Sequence, residues 1–345
     1  MGDFNDDPLL GPAAFVFQAP VRAKKQSAGA KPISGDLLHA VRLAAMRKIG
    51  RVTRRRPEVM VKVTGSARGF RSLKEHLAYI TRNGKIVAER EGGELIAGAA
   101  NVREVAEEWW AECGRGRQVR ATERARDSIN LILSMPPGTD PHAVADAARV
   151  FAQKTFGGQY DYLLAHHNRD SDPKRPENPH AHLTIKTRGH HGQRLNPHKS
   201  DLQDWREAFA VELRARKIEA EATPRRARGV VRKGQRQAIR HLDTRRASRV
   251  TQWKLQQAIK TVAAGKNGPD TALWAKATQE RQRKVRRAWN TLAAVFDASG
   301  QTALAQEVRQ FVNALPSPLT EREHFIAQAR KLLEKQQVRD QGRSR

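Results

Sequence analysis

This chain of 345 residues has a single cysteine, few aromatic residues and comparatively few acidic residues. The lone Cys113 can form neither an intrachain disulfide nor a cysteine-rich zinc site, which excludes disulfide scaffolds and zinc fingers of that type. No run approaches the roughly 18 apolar residues of a transmembrane helix, and the first residues lack the basic and apolar regions of a signal peptide. We therefore expect a cytoplasmic protein without membrane insertion.

Basic residues greatly outnumber acidic ones, with 64 Lys and Arg against 36 Asp and Glu and a formal net charge of +28. An excess of this size is uncommon in small-molecule enzymes and suits a polyanionic partner, nucleic acid ahead of an anionic membrane surface. Residues 214–249 alone contain 13 Lys or Arg against three Asp or Glu. Such a run is either a solvated linker or a phosphate-contacting segment, and the net charge favours the second at least as much.

Composition and periodicity divide the chain into four regions. Residues 1–57, rich in Gly, Pro and Ser and ending in a basic run, predict a flexible basic arm. Strand-like segments interleaved with helices predict an α+β or α/β sandwich over 58–225. A basic linker over 226–245 and a helical C-terminal region over 246–345 follow.

The elements within the second region follow the two periodicities. Alternating or short apolar runs predict strands, and a period of 3.6 residues predicts helices. Gly84 predicts the end of the first helix, and Asn101 the cap of the second. We expect strands over 58–64, 127–135, 160–167 and 182–187, and helices over 71–82, 101–113, 141–155 and 199–216.

Histidines form the sharpest local pattern. His180 and His182 open an apolar run that predicts a strand, in which residues i and i+2 point to the same face. His166 and His167 end the preceding predicted strand, so one of them can meet this pair if the two strands are neighbours. Three imidazoles on one sheet face would make a metal site with open positions for water or phosphate oxygens. The alternative is that these are ordinary polar positions in a common pattern.

Tyr79, one of three tyrosines, is the second signal. Leu73, Leu77 and Ile80 form the apolar stripe of the predicted helix, and Tyr79 lies about 200° from Leu77 around its axis. It therefore belongs to the polar face, near Arg82. A surface tyrosine that packs on a neighbour would also fit. The functional interpretation is a phenol offered to a phosphodiester, with Arg82 favouring the phenolate.

These residue types suit phosphodiester chemistry. A phenol has a pKa of about 10 and is a weak nucleophile at neutral pH unless a base or a cation assists it. A divalent ion held by neutral histidines would polarise a scissile phosphate. Attack by a tyrosine exchanges one phosphodiester for another, so the bond energy is kept and the strand can later be rejoined.

Three segments together resemble a known family. They are HLAYITRNGK around Tyr79, SINLILSMPPGTD over Ser128–Asp140, and NPHAHLTIK around His180 and His182. In this order they resemble the HUH endonucleases, and more narrowly the P-type mobilization relaxases that include the T-DNA border-nicking endonucleases of type IV secretion systems. The resemblance covers about 58–225. It implies an α+β fold, an antiparallel-sheet sandwich of the HUH relaxase type with helices, followed by an α-helical C-terminal region.

The resemblance also implies roles for individual residues. Tyr79 would be the nucleophile that nicks one DNA strand at a specific site and forms a 5′-phosphotyrosine, which starts conjugative or mobilization transfer. His167, His180 and His182 would hold Mg²⁺ or Mn²⁺, with His166 as the alternative third ligand.

An acidic residue shortly after the third histidine would support a ligand or act as a base. Asp170 takes this role by position, and Asp172 competes for it. Two positions depart from the family pattern, because Asn130 stands where histidine is frequent and Lys186 where asparagine is frequent. These departures bear on the acid–base assignment and leave the nucleophile and the ligands in place.

The partners that the resemblance implies are single-stranded DNA at a transfer origin, accessory DNA-binding proteins and a type IV secretion coupling protein, with export of the DNA-bound protein. Two other functions stay open: a non-catalytic DNA-binding accessory mobilization protein on the same fold, and a zinc hydrolase built on the histidines. The basic residues expected to contact the DNA backbone are Arg225, Arg226, Arg228, Arg232 and Lys233.

Overall fold

A computed structural model gives the fold, and its chain forms two compact units. The sheet unit contains Arg54–Ala222, and the helical unit contains Thr223–Arg345 together with Met1–Gln18 and Lys31–Thr53. The residues that the structure describes are 7–17, 35–112, 126–168, 178–232, 234–235, 237–245, 248–266, 268 and 270–343.

The sheet unit is built on six strands in the order β1-β4-β6-β5-β2-β3, and every neighbouring pair is antiparallel. The strands alternate in burial or run fully buried, as the apolar patterns predict. Their bounds are β1 Met60–Ala67, β2 Ala88–Arg90, β3 Leu95–Ile96, β4 Ser128–Ser134, β5 Tyr162–His167 and β6 His180–Lys186.

Helices cover both faces of this sheet. Helices α3 (Phe70–Ile80) and α4 (Ala99–Glu112) pack on one face, in a core that includes Leu163 and Ala165 of β5. Helices α5 (Pro141–Phe156) and α6 (Lys199–Ala215) pack on the other face, against the apolar side chains of β4 and β6. The predicted α+β sandwich with an antiparallel sheet is confirmed.

Two helix ends have local causes. Helix α3 ends at Ile80 because the chain then turns into left-handed backbone at Arg82, Asn83 and Gly84, with φ of 52°, 56° and 78°. Helix α4 begins at Ala99, so the predicted cap at Asn101 is wrong. The Asn101 side chain instead donates a hydrogen bond of 2.9 Å to the Ala97 carbonyl from within the first turn.

The helical unit is packed around Trp289. This indole is fully buried, lies 5.6 Å from the Phe17 ring and 5.1 Å from the Phe311 ring, and donates a hydrogen bond of 2.9 Å to the Ala227 carbonyl. The elements of the unit are α1 Leu10–Phe17, α2 Gly35–Thr53, a 3₁₀ turn Arg225–Arg228, α7 Gln237–Thr244, α8 Arg249–Ala263, α9 Leu273–Ala298, α10 Thr302–Asn313 and α11 Glu321–Arg343.

Two regional predictions differ from this structure. The arm predicted over 1–57 contains α1 and α2, and these helices bury Val16, Ile49 and Val52 in the core of the helical unit. The linker predicted over 226–245 contains most of the 3₁₀ turn, with Ala227 buried, and α7. Val16, Ile49, Val52 and Ala227 pack in this core against residues that lie far along the chain. The helical character predicted for 246–345 matches α8 to α11. None of the described helices is long and apolar enough to cross a membrane.

Candidate metal and nucleophile site

Strand register brings three imidazoles together on the sheet face that α3 and α4 cover. His167 of β5 pairs with His180 of β6, and Ala165 pairs with His182. Directly paired residues share a face, as do residues two apart, so all three histidines project to the same side. Their ring centroids are 4.7 to 5.2 Å apart, and one nitrogen of each lies within 4.8 Å of the others.

Two of the three imidazoles are oriented by backbone carbonyls. The His167 Nε2 lies 2.6 Å from the Ile80 carbonyl oxygen, and the His180 Nδ1 lies 2.8 Å from that of Asn178. A carbonyl only accepts, so each of these nitrogens carries the hydrogen. In the neutral rings the lone pairs then belong to Nδ1 of His167 and Nε2 of His180. Metal-binding histidines are commonly oriented in this way, by a hydrogen bond from the ring nitrogen that does not bind the metal to a carbonyl or carboxylate oxygen.

His182 completes the set as a neutral ring. Burial, reinforced by the nearby His167 and His180, lowers the pKa of His182 to about 3. At neutral pH the imidazole therefore has a lone pair to donate. Three imidazole nitrogens that converge within the reach of one ion fit a divalent transition metal.

His166, the alternative third ligand, lies on the other face of the sheet. It pairs with Ala181, whose side chain is in the core beneath α5 and α6. Burial lowers its pKa to about 4, and its Nε2 has no hydrogen-bond partner among the described residues. The structure thus groups His167, and not His166, with the other two histidines.

Tyr79 lies beside this histidine cluster. Leu73, Leu77 and Ile80 are the buried residues of α3, whereas the Tyr79 side chain is 46% exposed, as the helical periodicity predicts. Its ring stands edge-on to His182, with 6.2 Å between the ring centroids. The phenol therefore belongs to the same polar surface as the three imidazoles.

Arg82 is folded back over the tyrosine. Its guanidinium carbon is 4.9 Å from the centre of the Tyr79 ring, and its Nη1 donates a hydrogen bond of 2.8 Å to the Tyr79 carbonyl. The left-handed turn that follows α3 makes this return possible, and Gly84 is essential to the turn. A Cβ at Gly84 would lie 2.2 Å from the carbonyl carbon of Gly98.

His76 is a neighbour of Tyr79 for which the sequence analysis predicted no role. The two rings are stacked with centroids 6.4 Å apart, one helical turn from each other. Burial lowers the pKa of His76 to about 4, and its Nε2 has no hydrogen-bond partner within the described part of the chain. The signal was present in the spacing, because a histidine three residues before the tyrosine shares its helix face.

The two departures from the family pattern lie on the same sheet face. Asn130 is almost fully buried and is 3.4 Å from the Ser128 hydroxyl, which donates to its side-chain oxygen. Lys186 is buried in ion pairs with Asp161, at 2.9 Å, and with Glu112. Although burial opposes it, these two carboxylates raise the pKa of Lys186. These two ion pairs give Lys186 a structural role.

The remaining predicted site residues are the two candidate acids and the five basic residues expected to contact DNA. Asp170, Asp172 and Lys233 lie outside the described residues. Arg226 is partly buried, donates a hydrogen bond of 2.9 Å to the Phe15 carbonyl and lies over the Phe15 ring, so part of its role is structural. Arg225 and Arg232 are exposed, and Arg228 is partly buried. Arg225, Arg226, Arg228 and Arg232 belong to the helical unit, whereas the three histidines and Tyr79 belong to the sheet unit.

Comparisons with known proteins agree with this geometry. The family described as "Relaxase: MobA/VirD2-like, nuclease domain" matches residues 79–216, a segment that contains Tyr79 and all three histidines. The T-DNA border endonuclease VirD2 of Rhizobium radiobacter is 27% identical over 218 residues, which cover 58% of this chain and 49% of that protein. The VirD2 of Agrobacterium fabrum (strain C58 / ATCC 33970) is 26% identical over 145 residues, 39% of this chain and 31% of that protein.

The matches therefore span about half the length of these relatives, or less. A solved structure titled "Molecular Basis of Vancomycin Resistance Transfer in Staphylococcus aureus" aligns with 14% identity and a TM-score of 0.31, over 49% of this chain and 98% of that one. The resemblance read from the three sequence segments is confirmed: residues 79–216 match the nuclease domain of the MobA/VirD2-like relaxases.

Proposed function

We propose that this protein nicks one strand of DNA at a specific site by tyrosine transesterification and thereby starts conjugative or mobilization transfer. The observation that carries the proposal is the placement of Tyr79 beside a cluster of three imidazoles on one sheet face, with its ring centroid 6.2 Å from that of His182. The match of residues 79–216 to a relaxase nuclease domain supports it.

Tyr79 is the proposed nucleophile. Its phenolic oxygen attacks the scissile phosphorus, a bond from that oxygen to phosphorus forms, and the bond from phosphorus to the 3′ oxygen breaks. The DNA 5′ end is then held as a phosphotyrosine, and the released 3′ oxygen takes up a proton. No phosphodiester is lost, so the reverse reaction can rejoin the strand.

Two groups assist the phenol in this proposal. The Arg82 guanidinium, 4.9 Å from the ring centre, favours the negative charge that develops as the phenolic proton leaves. Asp170 is the proposed acceptor of that proton, with Asp172 as the alternative. A carboxylate in this position follows from the family pattern of the sequence.

His167, His180 and His182 are the residues proposed to hold a divalent ion, Mg²⁺ or Mn²⁺. Such an ion, when bound, stabilises negative charge on the phosphate oxygens. Nitrogen donors suit Mn²⁺ better than Mg²⁺, which prefers oxygen ligands. The carbonyls of Ile80 and Asn178 hold two of the rings so that no reorientation is needed on binding.

The proposed substrate is single-stranded DNA at a transfer origin, and the proposed compartment is the cytoplasm. Accessory DNA-binding proteins and a type IV secretion coupling protein are the proposed partners. The large positive charge favours DNA, and each phosphate contact would add to the salt dependence of binding. The proposed backbone contacts are Arg225, Arg226, Arg228, Arg232 and Lys233.

The decisive experiment tests for a covalent adduct. The full chain is incubated with Mn²⁺ and labelled single-stranded oligonucleotides from candidate transfer origins, and denaturing gels are searched for DNA-linked protein. We expect an adduct with the unaltered protein, none with Tyr79→Phe, and retained DNA binding in both. Tyr162→Phe is the matched control, since that buried tyrosine should leave the adduct intact.

An adduct that survives in Tyr79→Phe would disprove the assignment of the nucleophile. DNA binding without an adduct in any form of the protein would instead favour a non-catalytic accessory mobilization protein on the same fold.

A further inference from the structure

The helical unit has many more positive charges than the five residues proposed above to contact the backbone of the nicked DNA. Residues 223–345 contain 27 Lys or Arg against nine Asp or Glu. A core of apolar side chains around Trp289 accounts for the folding of this unit, and these cations are additional to it. Like charges at this density destabilise a compact unit unless a polyanion neutralises them.

Helix α9 carries part of this charge in a regular stripe. Val285, Trp289 and Leu292 lie on its buried side. Nearer its N-terminal end, Trp274, Ala277, Arg281 and Lys284 are exposed and follow one another at intervals of three and four residues. An exposed aromatic ring is thus followed along the same face by two exposed cations.

The cations of this stripe differ from their neighbours on α9. Arg283 and Arg287 form ion pairs with Glu280, at 3.5 and 3.3 Å. Arg281 and Lys284 are exposed, and neither forms an ion pair with any described residue. Ion pairs within the chain therefore account for Arg283 and Arg287, but not for Arg281 and Lys284.

A further arginine extends the positive surface. The 3₁₀ turn lies against α9, where Gln282 donates a hydrogen bond of 3.3 Å to the Arg226 carbonyl. Burial and the nearby Arg281 lower the pKa of Arg226, which means that the two guanidinium groups repel each other. Two cations brought into mutual repulsion are stabilised when an anion binds at both.

Trp274 indicates that this surface could bind nucleic-acid bases in addition to phosphates. It is 60% exposed, whereas Trp289 of the same helix is fully buried. About ten residues separate Trp274 from Lys284, and at 1.5 Å of rise per residue the stripe is about 15 Å long, enough for a few nucleotides. An exposed aromatic ring beside a line of cations is the arrangement by which proteins hold unpaired strands.

We propose that the exposed face of α9 is a second nucleic-acid site, specific for single strands, in which Trp274 stacks on a base and Arg281 and Lys284 contact phosphates. Bases in a duplex are stacked on each other, so only an unpaired base offers a face to the indole. This binding does not require nicking, and it is expected in a protein whose Tyr79 is replaced.

The test uses the full chain with Tyr79→Phe, so that no adduct forms, and a fluorescein-labelled (dT)12 oligonucleotide of no particular origin sequence. Anisotropy titrations at several salt concentrations give the affinity and its salt slope. Arg281→Gln with Lys284→Gln should reduce the slope of log K against log salt by about 1.4, as expected for two lost phosphate contacts. Lys331→Gln with Lys335→Gln, exposed on α11, removes the same charge and should leave the slope nearly unchanged.

A second pair of variants isolates the indole. Trp274→Ala should weaken binding roughly 10-fold, and Trp274→Phe should retain most of the affinity because it keeps a stacking ring. Trp253→Ala is the control, because Trp253 on α8 is also 60% exposed but is followed along its helix face by one exposed cation, Lys260, instead of two. Circular dichroism checks that each variant is folded.

Equal losses in the two charge variants would overturn the proposal, as would a greater loss for Trp253→Ala than for Trp274→Ala. Equal affinity for a duplex of the same length would also contradict it. A charge variant that loses binding to anionic phospholipid vesicles and keeps its affinity for the oligonucleotide would assign this face to a membrane surface. None of these results depends on the nicking reaction, which the adduct experiment tests separately.

Discussion

The sheet unit and the helical unit display their functional side chains in opposite ways. In the sheet unit, His167 and the pair His180 and His182 come from two strands and converge to within 4.8 Å of one another. In the helical unit, Arg281 and Lys284 follow each other along one exposed helix face. Convergence serves a reaction at one atom, whereas a linear array serves contact with a polymer.

The difference also extends to how each arrangement is held. Strand register and two backbone carbonyls fix the imidazoles, so their positions depend on many hydrogen bonds at once. The cations of α9 depend only on helical periodicity and keep their side-chain freedom. A single substitution should therefore have a large effect in the sheet unit and a graded effect in the helical unit.

The largest effect is expected from the histidine cluster. His180→Asn should weaken Mn²⁺ binding more than about 100-fold. Removing a group that hydrogen-bonds to a metal ligand typically costs about 10- to 100-fold in metal affinity, and loss of the ligand itself should cost more. Isothermal titration calorimetry with Mn²⁺ measures it directly, and adduct formation should fall in parallel.

His166→Asn is the matched control for this substitution. It changes the same residue type at the end of the neighbouring strand, but on the opposite face of the sheet. We expect unchanged Mn²⁺ affinity in this variant. Equal losses in the two variants would mean that the histidines act through folding and not as ligands.

A smaller effect is expected at the turn that follows α3. Gly84→Ala should destabilise the sheet unit by about 2–4 kcal/mol, since it combines left-handed backbone with a Cβ 2.2 Å from the Gly98 carbonyl carbon. Gly93→Ala shares the positive φ, at 91°, but its Cβ would meet no atom within 4 Å. The free energy of unfolding in urea should therefore fall by only about 1 kcal/mol there. Similar losses at both sites would show that the close approach at Gly84 relaxes without cost.

Most of the fold and of the site was predictable from periodicity. The strand alternation around His180 and His182 predicted that they share a face, and the apolar stripe of α3 predicted that Tyr79 does not belong to the core. The choice between His166 and His167 was left to the family resemblance, because it depends on the register between β5 and β6. Register is the pairing of residues that are distant in sequence, so it cannot be read from the sequence of either strand alone.

The helices of the first 57 residues were missed for a related reason. Their Gly, Pro and Ser content resembles that of a flexible arm, and α1 is only eight residues long, too short to be stable alone. Burial of Val16, Ile49 and Val52 in the core of the helical unit stabilises both helices. Composition describes local preference, and here tertiary packing determines the structure.

The smallest effect concerns acid stability, and it follows from His76. Its folded-state pKa of about 4 is lower than its ordinary value of about 6.5, because burial disfavours the charged ring. Between these two pH values the unfolded chain binds a proton at His76 that the folded chain does not bind. The contribution of the neutral ring to the free energy of unfolding is therefore fully present above about pH 6.5 and is lost as the pH falls towards 4. The depressed pKa values of His166 and His182 act in the same direction. The free energy of unfolding in urea should therefore fall from pH 7 to pH 4, and His76→Gln should reduce the slope of this fall by at most about one proton. If His76→Gln kept the full slope, the ring would be accessible to protons in the folded protein, and its burial beside Tyr79 would be wrong.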